Sequence, residues 1–177
     1  QRRRAWRRMN KVGRFEKVSY EQFATDIKDV FPDFSEDNVR EMYDGIKLPK
    51  RATAGSAGND FFVPMDITLE PGQSIKVPTG IRVRMNPGWW LGCFPRSGLG
   101  FKYRIQLDNT VGVIDSDYYN AKNEGHIMLK ITNDSREGKT LQLKSGDAFA
   151  QGIFLIYGIT YDDDVESART GGLGSTD

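Results

Sequence analysis

A chain of 177 residues, 38% of them hydrophobic, has room for one ordinary domain with its own core and none for a second catalytic unit. A single Cys and a single His exclude an intrachain disulfide and a His/Cys zinc cluster, which leaves carboxylate, hydroxyl, phosphate-handling and magnesium chemistry. The formal net charge of +1 conceals a split: residues 1–17 hold eight of the 25 Lys and Arg and one of the 24 Asp and Glu, so the rest of the chain is acidic.

The basic tail, residues 1–17, lacks the apolar segment of a secretory leader, and no apolar run in the chain nears the roughly 18 residues of a membrane helix. A cytoplasmic location is therefore expected. Met9 is read as a start, and the tail as disordered or an added extension. Residues 18–45 follow as a helical extension. "SYEQFATDIKDVF" carries a capping box, Ser19 with Gln22, and sets Phe23, Ile27 and Val30 on one face. "SEDNVREMYDGI" repeats the pattern from Ser35 with Val39, Met42 and Tyr43. Both helices are expected to pack on the domain or on a neighbouring subunit, and neither shows chemistry of its own.

From residue 46 to 165 the period changes to two. Ile75 and Val77, then Ile81, Val83 and Met85, then Ile127, Leu129 and Ile131, then Leu141 and Leu143 alternate with polar residues. Turn formers separate these runs: "EPGQ", "NPG", "NDSREG" and "KSGD". Short strands with turns at such intervals indicate an all-β sandwich or barrel. The last, "AFAQGIFLIY", is apolar almost throughout, as a strand buried on both sides would be. Residues 166–177 read by composition as a loose C-terminus, with a mobile phosphate-binding flap as the alternative.

Two stretches suit chemistry. In "PRSGLGFK", Arg96 offers a planar cation for phosphate oxygens, Ser97 a hydroxyl, and Gly98 and Gly100 a close backbone approach to an anion; a surface turn is the competing reading. In "NTVGVIDSDYYN", Asp115 follows the apolar run Val111, Val113 and Ile114. If this is a strand entering a hairpin, Asp115 and Asp117 share a face, where they could cap a turn, bind a cation or supply a base.

Five segments in order, "ATAGSAGNDFF", "PRSGLGFK", "NTVGVIDSDYY", "GDAFAQGIF" and "RTGGLGSTD", resemble the five motifs of the homotrimeric dUTP pyrophosphatases, the dUTPases, in a bacterial or phage-like form with an N-terminal helical extension. The resemblance covers residues 46–177. It implies a jelly-roll-like β-barrel, a homotrimer with active sites between subunits, and Mg²⁺-dependent hydrolysis of dUTP to dUMP and pyrophosphate. Asp115 matches the carboxylate that activates the attacking water at the α-phosphorus. Asn109 and the backbone around Gly112 and Ile114 match the hairpin that reads uracil, and Tyr118 the ring that packs on deoxyribose and leaves no room for a 2′-hydroxyl. Arg96, Ser97, Gly98 and Gln151 match phosphate contacts, and Asp60 a carboxylate supporting the phosphate and metal site. Arg169, Leu173, Gly174, Ser175 and Thr176 match a flexible arm, residues 166–177, that closes over a neighbouring subunit's site. Magnesium would be held by triphosphate oxygens and water, with no direct protein ligand. No membrane or nucleic-acid partner is expected.

Departures from the motifs are specific. Leu173 stands where many members place a Phe on uracil, a contact worth about 0.5–1.5 kcal/mol. Asn59 replaces a larger residue before Asp60, Tyr119 stands in place of an Arg, and residues 120–124, "NAKNE", lengthen the connection after it. Two alternatives share the fold: a dCTP deaminase, disfavoured because Lys130 stands near the position of its catalytic Glu, and a dUTPase-like regulatory module that binds proteins.

Overall fold

The structure, a computed structural model, describes residues 9–172. It opens with strand β1 (Gly13–Lys17) and helices α1 (Tyr20–Val30) and α2 (Glu36–Asp44). Strands β2 (Lys50–Arg51), β3 (Asn59–Phe62), β4 (Ile67–Leu69), β5 (Ser74–Pro78), β6 (Ile81–Met85) and β7 (Trp89–Pro95) follow. A short helix α3 (Ser97–Tyr103) precedes β8 (Ile105–Leu107) and β9 (Gly112–Asp115), and a 3₁₀ turn (Ser116–Asn120) leads to β10 (Met128–Asn133), β11 (Leu141–Leu143) and β12 (Ala148–Ile156).

Both helices start where their caps predict. The Ser19 side chain accepts from the Gln22 N–H at 3.1 Å and that of Ser35 from the Asn38 N–H at 3.2 Å, each satisfying a donor the first turn leaves open. Phe23, Ala24 and Ile27 of α1 and Val39 of α2 are buried in the same core as the strands, so the extension packs on its own chain's β domain.

Every strand pair is antiparallel. The largest sheet runs β2-β3-β12-β7-β9; a second runs β5-β10-β8, and β1-β6 and β11-β4 form two ribbons. The alternating residues lie where their period puts them: Val77, Ile81, Val83, Leu129, Ile131, Leu141 and Leu143 are buried, each worth about 1.5–3 kcal/mol of transfer free energy when fully removed from water. The all-β domain with a short helical segment is thus the observed architecture.

The structure departs from the sequence reading in four places. Residues 13–17, assigned to the tail, form β1, whose Phe15 ring packs 5.7 Å from both Phe61 and Phe154. A strand of five residues with one large apolar side chain carries too little periodicity to stand out from its basic surroundings. The far end of β12 is not buried on both faces: Ile156 is 71% exposed. β8 and β9 are not a paired hairpin, since β8 pairs with β10 and β9 with β7, and the turn between them crosses from one sheet to the other. Finally, β9 ends at Asp115, so Asp117 stands on the 3₁₀ turn and not on the strand face.

Candidate active site

The sheet register builds a first cluster. In the β3–β12 ladder Asp60 lies opposite Gln151, and in the β12–β7 ladder Gln151 lies opposite Phe94, so the three form one row across the sheet. Gln151 Nε2 donates to the Pro95 carbonyl at 3.1 Å. Just beyond, Arg96 leaves the strand and its Nε stands 3.3 Å from Asp60 Oδ1. Gly58 makes room for this arrangement, because a Cβ there would lie 2.2 Å from Gln151 Oε1. Ser97 and Gly98 are exposed in the first turn of α3, where backbone N–H groups have no intrahelical acceptor. The cluster therefore presents a guanidinium, an amide, a hydroxyl and open N–H groups, a donor set suited to phosphate oxygens. Asn59, the departure before Asp60, donates through Nδ2 to the Gly152 carbonyl at 3.1 Å and so ties β3 to β12.

A second cluster forms at the end of β9. This strand is the edge of the largest sheet, so the backbone groups on its outer side lie beyond the ladder. Ile114, 2% exposed, pairs with Leu91, and Gly112 pairs with Cys93 so closely that a Cβ on Gly112 would lie 2.9 Å from the Cys93 Cβ. Burial pushes the Cys93 thiol up to about 12, which removes it as a nucleophile at neutral pH. The Asn109 turn is tight: Thr110 N–H donates to the Leu107 carbonyl at 2.9 Å, with Thr110 in the left-handed region at φ 70°. Asp115 is held at one end by this anchored strand while its side chain stays half exposed.

Arg169 bridges Asp115 and Asp117. Its Nη2 donates to Asp115 Oδ2 and its Nε to Asp117 Oδ1 at 2.8 Å, with the guanidinium 5.9 Å from the Tyr118 ring centre. The resemblance assigns this Arg to a neighbouring subunit's site, whereas in the single chain the segment after β12 is long enough to fold back over its own β9. Leu173, Gly174, Ser175 and Thr176 lie outside the described residues.

Tyr118 is 2% exposed. Its O–H donates to the His126 carbonyl at 2.6 Å and accepts from Asn123 Nδ2 at 2.8 Å. Burial, opposed by the Asn123 bond, pushes the phenol up to about 12, so it stays a neutral donor.

The two clusters are joined by no hydrogen bond or ion pair among the described residues. Asp115 lies opposite Trp90 and Gln151 opposite Phe94, which puts the clusters about 13 Å apart along β7 at ~3.3 Å per residue. Sequence reasoning missed Gly58, and it gave Asp117 no link to Arg169. The motif containing Gly58 was visible, but its partner Gln151 is brought beside it only by strand register.

Among the described residues no group of three or more His, Cys, Asp and Glu is placed to hold a metal ion, and no helix is long and apolar enough to cross a membrane. Residues 44–176 match the dUTPase family. A deoxyuridine 5′-triphosphate nucleotidohydrolase of Lactococcus lactis is 37% identical over 135 residues, 75% of this chain and 89% of the relative. The crystal structure of a dUTPase from Streptococcus mutans is similar at 33% identity and TM-score 0.60, covering 82% of this chain and 97% of that one. A dUTPase mutant from a phage of S. aureus, described for the coordination of a structural Mg(II) ion, shares the fold at 21% identity and TM-score 0.57, covering 72% and 95%. With its motif residues gathered into two clusters on this shared fold, the chain belongs to the dUTPase family, the enzymes that hydrolyse dUTP to dUMP and pyrophosphate.

Proposed function

We propose that Asp115 is the general base of this reaction, taking a proton from the water that attacks the α-phosphorus of dUTP. The observation that carries the reading is its placement: a half-exposed carboxylate at the end of a strand whose preceding residue, Ile114, is locked in the core. A base fixed in this way loses little orientation freedom when the water is bound.

Arg96, Ser97, Gly98 and Gln151 bind the phosphates, with Asp60 orienting Arg96 through their ion pair. Asn109 and the outer backbone of β9 at Gly112 and Ile114 read the uracil edge, and Tyr118 packs on the deoxyribose. Arg169, with Leu173, Gly174, Ser175 and Thr176, closes over the triphosphate; that Arg169 reaches Asp115 supports an arm able to cover the base. Mg²⁺, when bound, neutralises charge on the triphosphate oxygens. The hard oxygens of the substrate suit this ion, which prefers to keep several waters and to bind through substrate phosphates.

The separation of the clusters supports a homotrimer with shared sites. One water cannot be near Asp115 and also near a phosphate held about 13 Å away on the same sheet, but Asp115 of one chain can face Arg96 and Gln151 of another. Exposed apolar side chains, among them Phe101 at 91%, Ile156 at 71% and Ile159 at 73%, supply surface for such contacts. The reading includes a cytoplasmic location. A deaminase reading gains nothing from Lys130, which points outward to an ion pair with Asp108 at 3.2 Å.

The experiment is product analysis with Mg²⁺ and each of dUTP, UTP, dCTP and dTTP, following monophosphate, pyrophosphate and ammonia. The expected result is dUMP and pyrophosphate from dUTP, with the other three left intact. Ammonia from dCTP would overturn it.

A further inference from the structure

The helical extension and the lengthened segment after Tyr118 are built against each other. One residue of β1 and two of the extension hold this segment. Glu16 of β1 accepts the Tyr119 O–H at 2.5 Å. Ser19, the cap of α1, donates its N–H and O–H to the Glu124 carboxylate at 2.9 and 2.6 Å. Asp26, two helical turns further on, accepts from His126 Nδ1 at 2.5 Å and from Gln22 Nε2 at 2.9 Å.

The third contact is linked to the sugar-facing ring by a hydrogen bond through the His126 backbone. His126 is fully buried, and its Nε2 accepts the Gly80 N–H at 2.8 Å, so the ring proton must sit on Nδ1 and face Asp26. Both nitrogens are thus used and the imidazole has one orientation. The backbone of the same residue anchors Tyr118, whose O–H donates to the His126 carbonyl, while Asn123 Nδ2 secures the phenol oxygen from the other side. Asn123 is in turn tied to the loop by His126 N–H on its carbonyl at 3.1 Å, and a Cβ on Gly172 of the arm would lie 3.4 Å from its Nδ2.

We propose that Asp26, acting through His126, is a positioning residue for Tyr118 and thereby sets how strictly the site refuses ribose. The inference rests on the reading of Tyr118 as the ring against the sugar. Exclusion of one hydroxyl by shape demands a ring wall that does not yield, since a small displacement opens the space the extra oxygen needs. Without an acceptor at Asp26, a buried Nδ1–H is left unpaired. The imidazole then turns or admits water, and the carbonyl that holds Tyr118 moves with it. On this view the extension contributes to specificity from behind the site without touching substrate.

The test measures kcat and KM for dUTP and UTP with the magnesium-loaded full chain carrying Asp26→Ala, Asp26→Asn, Ile27→Val or Tyr118→Leu. Asp26→Ala is expected to lower the dUTP-to-UTP ratio of kcat/KM by about tenfold, the scale of one buried hydrogen bond. Asp26→Asn, which still offers an oxygen to Nδ1–H, is expected to fall between Ala and the parent, so it reports even if the Ala chain does not fold. Ile27→Val, a core change on the same helix, lowers Tm and leaves the ratio alone. A ratio unchanged in every folded Asp26 variant, or one that follows Tm in Ile27→Val as well, overturns the proposal. If Tyr118→Leu relaxes discrimination while the Asp26 variants do not, the clamp is refuted and the sugar reading stands. If Tyr118→Leu leaves the ratio unchanged, the sugar reading falls and the proposal falls with it.

Discussion

Replacing Asp115 by Asn removes a proton acceptor and keeps the shape of the side chain. Since Ile114 and Gly112 hold the strand from the core side, the change should leave Tm within a degree or two of the parent. Loss of general-base catalysis is expected to lower kcat by roughly a hundredfold to ten-thousandfold with little change in KM. A KM that rises while kcat holds would move Asp115 from the chemistry to binding. Gly58→Ala tests the other cluster. The new methyl displaces Gln151 from its Pro95 contact, and KM for dUTP is expected to rise about fivefold, the scale of one hydrogen bond, with the fold intact. An unchanged KM would show that Gln151 does not bind the triphosphate. Asp115 and Arg96 were singled out in the sequence through the resemblance of their stretches to family motifs, since each stretch by itself also reads as a turn. Gly58 and Gln151 were not legible as a pair, because their contact depends on the β3–β12 register, and the Asp26–His126 bond spans 100 residues of chain.

At the scale of elements, α1 and α2 could be read from their caps and apolar faces, whereas their consequence for the site could not. β1 and the extension meet residues 119–126 through bonds to side chains that carry no periodicity, so nothing local announced them. The turn between β8 and β9 shows a similar limit: its residues predicted a reversal but not that the two flanking strands join different sheets. The clasp has a pH signature. Burial raises the Glu124 carboxyl, but the Ser19 O–H and N–H outweigh this and hold it below its ordinary 4.5. A carboxylate depressed in the folded state stabilises fully above its unfolded value and loses that contribution as pH falls through the folded one. The Tm difference between the parent and Glu124→Gln should therefore be greatest near neutrality and shrink as pH falls below 4.5. A difference independent of pH would contradict the ionised bond to Ser19.

For the whole molecule, the proposal makes each active site the work of more than one chain. Arg96→Ala damages the phosphate cluster and Asp115→Asn the hydrolytic one, so each variant alone should be nearly inactive. Mixed and reassembled, the two should recover a measurable fraction of parental activity, because some sites then combine an intact Arg96 from one chain with an intact Asp115 from another. No recovery in assemblies shown to be mixed would contradict shared sites. The parent should sediment at three times its 20.0 kDa chain mass. The measurement that bears most directly on the account is hydrolysis of dUTP in heavy-oxygen water, with the label located by mass spectrometry. Attack at the α-phosphorus by water held at Asp115 predicts label in dUMP and none in pyrophosphate, at a rate that collapses in Asp115→Asn. Label in pyrophosphate, or full turnover in that variant, would contradict it.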